Sequence, residues 1–121
     1  MIMRRSIWDG LYILDDEGKP VVEHDHMKWM MWMFDQREGD PLYRTIAYDK
    51  FGDVWVSTVF LGIDHNFFGG DPVLFETMIF GGKFNEYQER YCTRREALEG
   101  HARAVADVQG KKVMPLRALR G

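Results

Sequence analysis

The stretch "VWVSTVFLGIDHNFFGGDPVLFETMIFGG", Val54 to Gly82, decides the fold. From Val54 to Ile63 both alternating sets of side chains are mostly apolar. Val54, Val56 and Phe60 fall on one side, and Trp55, Val59, Leu61 and Ile63 on the other. Such a run predicts a central strand, covered on both faces for part of its length. It stops at Asp64-His65-Asn66, breaks at Phe67-Phe68-Gly69-Gly70, and resumes as a strand over Val73 to Phe80 whose one charge is Glu76. A polar, aromatic strand follows over Glu86 to Tyr91, reached through the loop Gly81-Gly82-Lys83-Phe84-Asn85. Loops this short join antiparallel neighbours.

Upstream, Tyr43 to Asp64 reads as one hairpin with Asp49-Lys50-Phe51-Gly52-Asp53 as its turn. Leu11 to Val22 reads as another, turning at Asp15 to Lys19. Between them "HDHMKWMMWMFDQR", His24 to Arg37, has helical periodicity, with Asp25 as N-cap and Pro41 beyond the end. Met27, Met30, Met31 and Phe34 share one face of this helix; Trp29, Trp32 and Met33 share the opposite one. A helix apolar on two faces needs two apolar neighbours. Large aromatic rings dominate core burial, so the tryptophan face is expected to go inward. The last helix begins at a capping box, Thr93 with Glu96, and stops at Gly110. Its apolar stripe runs from Ala97 to Val108 and includes His101.

The resulting order is β-β-α-β-β-β-β-α. It predicts an α+β, two-layer fold: an antiparallel sheet of hairpins with two helices packed on one face. At 121 residues the chain makes one domain, read as residues 1–110 followed by a basic, flexible tail at 111–121. The tail carries four cations and no acid, which leaves a net −7 on residues 1–110. An acidic body argues against broad nucleic-acid binding. One cysteine, Cys92, excludes an internal disulfide and suits a reducing compartment. The N-terminal residues lack the apolar core and cleavage site of a signal peptide, and no apolar run is long enough to span a bilayer.

Three groups of residues are candidates for function. Asp64, His65 and Asn66 project from the end of the central strand beside a glycine-flanked loop, a common placement for active groups. Read structurally, the same residues are turn formers. Glu76 is a lone acid among apolar neighbours, costly to bury unpaired. A five-residue loop centred on Lys83 puts it opposite Arg90, which predicts a cross-strand ion pair. The alternative is that Glu76 joins His65 or His101 in a polar pocket. The third group is the methionine face, Met27, Met30, Met31 and Phe34, soft and adaptable enough to suit a protein interface. His24 and His26 do not share a helical face, and no metal-ligand set is read. No cofactor motif is found: neither Gly69-Gly70 nor Gly81-Gly82 has the context of a phosphate-binding loop.

At "VSTVFLGIDHNFFGGDPVLFETMIFGG" and "YQERYCTRREALEGHARAV" the sequence resembles a group of small proteins encoded by bacteriophages and prophages. The resembling part runs roughly from Val56 to Val105, with a looser likeness at "GKPVVEHDHMKWMMWM". The resemblance implies the cytoplasm of a host bacterial cell. By analogy it implies an accessory role exercised by binding a host protein or a signalling molecule, for example to inhibit a host defence.

The leading expectation is therefore non-enzymatic binding of a protein, itself or a host factor, through the Met/Trp-rich helix. The alternative is a small-molecule binder or sponge, such as for a nucleotide signal, with a pocket at the Asp64–Asp71 loop built from Asp64, His65, Asn66, Glu76 and Arg90. A hydrolase using Asp64, His65 and Glu76 ranks third, because no nucleophile stands at a motif spacing.

Overall fold

In the computed structural model, residues 10–34, 44–66 and 69–111 are described. They form two strands, β1 (Tyr12–Leu14) and β2 (Pro20–Val22), then α1 (His26–Phe34). Four more strands follow: β3 (Thr45–Phe51), β4 (Val54–Phe60), β5 (Phe75–Phe80) and β6 (Gln88–Tyr91). The helix α2 (Arg94–Gln109) comes last. The fold is the expected α+β one, and all strand pairings are antiparallel. The strands divide into a β1–β2 hairpin and a sheet ordered β3-β4-β5-β6. Leu11 bridges Ile63, and the Tyr12 N–H donates to the Gly62 carbonyl, so the hairpin is tied to the chain just beyond β4.

β4 lies inside the sheet because its alternation demands burial. Val56, Thr58 and Phe60 are fully buried on one face. Val56 packs with Ile79 and Ala104 of α2. Phe60 joins Phe75, Leu74, Tyr91 and Ala97, and Trp32 of α1 meets it edge-on at 5.7 Å between ring centroids. α2 thus covers this face, while α1 packs on β1 and reaches the sheet through Trp32. Each large side chain buried there contributes about 1.5–3 kcal/mol. On the other face Trp55 stacks on Phe80. The sequence expectation of cover on both sides of β4 is met by α2 on one side.

Two glycines permit this packing. Gly62 has φ +78°, and a Cβ there would stand 2.5 Å from Met33 Sδ. The Trp29 Nε1–H donates to the Gly62 carbonyl at 2.9 Å, so this one residue seats the inner face of α1. In α2, Gly100 leaves the space taken by the Tyr91 ring, whose hydroxyl oxygen would lie 2.0 Å from an added Cβ.

The helix ends follow the sequence. Asp25 Oδ1 accepts the Met27 and Lys28 N–H groups at the start of α1. Thr93 and Glu96 form the reciprocal capping box of α2, and Gly110 ends it in the left-handed conformation. The β3–β4 turn is tighter than the sequence suggests. Phe51 pairs with Val54, so Gly52-Asp53 alone make the turn and Asp49 belongs to the strand. The far end of the predicted first helix and residues 112–121 of the basic tail lie outside the described residues.

Candidate functional site

The residues of the Asp64 loop close upon their own loop. Asp64 Oδ1 accepts N–H groups from Asn66 and Val73, each at 2.8 Å. The Asn66 side-chain amide donates to the Asp71 carbonyl at 3.1 Å, and His65 Nδ1 lies 2.8 Å from the Ile63 carbonyl. These are the bonds that Asp, Asn and His make when they hold a turn.

Glu76 and Arg90 do come together. They are register partners across β5 and β6. The Arg90 Nε–H donates to Glu76 Oε2 at 2.8 Å, and the Gln88 side-chain amide donates to the same oxygen at 2.5 Å. Glu76 is 9% exposed and its carboxylate has two donors, while the Arg90 side chain stays 44% exposed. The alternative that Glu76 meets His101 fails on geometry. His101 bonds to Thr58 on the helix-covered face, whereas Glu76 follows the opposite alternation of β5.

His101 is part of a polar chain that the sequence did not reveal. Its Nε2–H donates to Asp49 Oδ2 at 2.7 Å. Its Nδ1 lies 2.7 Å from Thr58 Oγ1, which lies 2.5 Å from Thr77 Oγ1. Thr58 and Thr77 are register partners, so the chain ties β3, β4, β5 and α2 together. Acid, imidazole and hydroxyl in sequence look like a nucleophile relay. Thr58 has no exposed surface, however, and no substrate can reach its oxygen. The arrangement is a cross-link in the core.

Among the described residues, no three His, Cys, Asp or Glu side chains are grouped to hold a metal ion. No described helix is long and apolar enough to cross a membrane.

The methionine face is an apolar feature left uncovered by the described elements. Trp29 and Met33 are buried against Leu11, Ile13 and Ile63. On the opposite side of α1, Met27 is 64% exposed, Met30 42%, Met31 68% and Phe34 64%. Val21 and Val22 of β2 are exposed as well. The division of α1 into an inner tryptophan face and an outer methionine face is the one its periodicity predicts.

Comparison of the chain with protein-family models, with curated proteins and with solved structures gives no significant match.

Proposed function

We propose that the protein acts by binding another protein through the outer face of α1, without catalysing a reaction. The observation that carries this reading is the exposure of Met27, Met30, Met31 and Phe34 on one short helix. Unbranched thioether side chains adapt to a partner's shape. Grouped apolar exposure on a polar-rimmed surface usually marks an interaction site. The likeness of the strand phrase to phage-encoded proteins supports a bacterial host cytoplasm as the setting and a host protein, or a second copy of the chain, as the partner.

The turn-forming bonds of Asp64, His65 and Asn66, and the mutual pairing of Glu76 and Arg90, leave a pocket at the Asp64–Asp71 loop as the weaker reading. The binding reading is tested by Met30→Lys combined with Met31→Lys. Neither side chain contributes to the buried clusters, so the double variant should unfold cooperatively, each change costing within about 0.5 kcal/mol. Association should weaken by at least about tenfold, read by light scattering for self-association or by titration with a partner. Unfolding of the variant would mean that these methionines belong to the core and would overturn the reading.

A further inference from the structure

A second site lies away from the methionine face and does not depend on it. A cavity of about 620 Å³ opens between the β1–β2 turn, the segment from Asp71 to Leu74, and the start of α2. Its volume is that of small-molecule sites, roughly 300–1,000 Å³. Tyr12 and Pro72 give it apolar walls above the buried Leu74, and Lys19, Arg94 and Cys92 also line it.

The charges on these walls are not equally engaged. Glu96 is held by the helix cap, where its Oε1 accepts the Thr93 N–H and hydroxyl at 3.0 Å. Arg95 is held by Glu99 at 3.2 Å. Lys19 has only a loose, exposed contact with Glu17 at 3.8 Å. Arg94 makes no hydrogen bond or ion pair among the described residues. Its guanidinium lies across Gly18, 3.1 Å from where a Cβ would stand. Asp71 is the remaining acid of the wall, against Lys19 and Arg94. The cap is already complete, so the amides at the helix start are not what makes the site. It rests on an open pocket with a mainly apolar lining and, at its rim, a forked cation that has no partner among the described residues.

We propose that this cavity binds a small molecule carrying an apolar ring or chain and one anionic group, carboxylate or phosphate, with the anion on Arg94 and Lys19 and the apolar part against Tyr12 and Pro72. Arginine recognises either anion in bidentate fashion. The apolar walls exclude a bare inorganic ion as the preferred ligand. No covalent step is involved: Cys92 is a wall residue, its thiol pushed above the ordinary range first by burial and then by the neighbouring Glu96, Asp71 and Asp64 carboxylates.

The test is an amide-detected NMR titration of the whole protein with phenyl phosphate, benzoate and, as the uncharged control, benzyl alcohol. At least one anion should shift the amides of Gly18, Lys19, Cys92 and Arg95 at concentrations up to about 10 mM, a weak affinity suited to probes of this size. Benzyl alcohol should bind about tenfold or more weakly. Which anion binds better decides between a phosphate and a carboxylate source. Arg94→Ala should lower the affinity by at least about tenfold with an unchanged melting temperature, and Arg94→Lys should recover part of it. No shift with either anion, an unchanged affinity in Arg94→Ala, or shifts confined to Met27–Phe34 would each overturn the proposal.

Discussion

Tyr91 is wedged over Gly100 with its hydroxyl buried, facing Thr77 but making no hydrogen bond of ordinary geometry among the described residues. Burial is the main cause that pushes its phenol above the ordinary tyrosine range. Tyr87 is pushed up as well, first by burial and then by its hydrogen bond to Glu89. A raised pKa on an acid means that the folded chain keeps its proton where the unfolded chain has lost it. Above pH of roughly 10 the unfolded state therefore binds fewer protons, and stability falls as pH rises further. Tyr91→Phe should flatten that alkaline decline. At neutral pH it should change stability by no more than about 1 kcal/mol, because the lost hydroxyl had no partner. Denaturant unfolding at neutral and alkaline pH reads both effects; an equal slope in the variant would contradict the assignment. None of this was legible in the sequence. Only the tertiary approach of a ring from β6 explains why residue 100 carries no side chain.

At the scale of elements, the side chains of Glu76, Gln88 and Arg90 add to the backbone ladder of the β5–β6 pair. Arg90→Ala would leave a mostly buried carboxylate facing Gln88 alone, at a cost of about 1–3 kcal/mol. A double-mutant cycle with Glu76→Gln should return a coupling energy of about 0.5–3 kcal/mol. A coupling near zero would show that the pair is as weak as an exposed one. This contact was legible because hairpin loop length fixes register, and register fixes which side chains face each other. Gln88 was not, since it reaches Glu76 diagonally. The Asp49–His101 bond was hidden for two reasons. Its partners are 52 residues apart, beyond any local periodicity. A two-residue turn also leaves Asp49 in the strand, where the sequence placed it in the loop. The Asp64 loop shows the opposite limit: Asp, His and Asn beside glycines have the same composition whether they hold a turn or a ligand, and only their bonds distinguish the two.

For the whole molecule, the order of elements and the sidedness of α1 could be read from periodicity alone, because each follows from which positions must be buried. What the exposed side of α1 meets could not, since exposure names no partner. The described residues form a four-stranded sheet covered by α2 and a two-stranded hairpin against which α1 packs, and α1 turns four apolar side chains outward. The proposed binding role requires that outward face to be a contact surface. The most direct test replaces Met31 with a photo-reactive benzoylphenylalanine and, in a separate protein, replaces Tyr48, an exposed residue of β3. Irradiation in bacterial cells producing each protein should give one discrete protein adduct from position 31, lost on adding Met30→Lys, and no such adduct from position 48. Equal adduct patterns from both positions, or none from position 31, would contradict it.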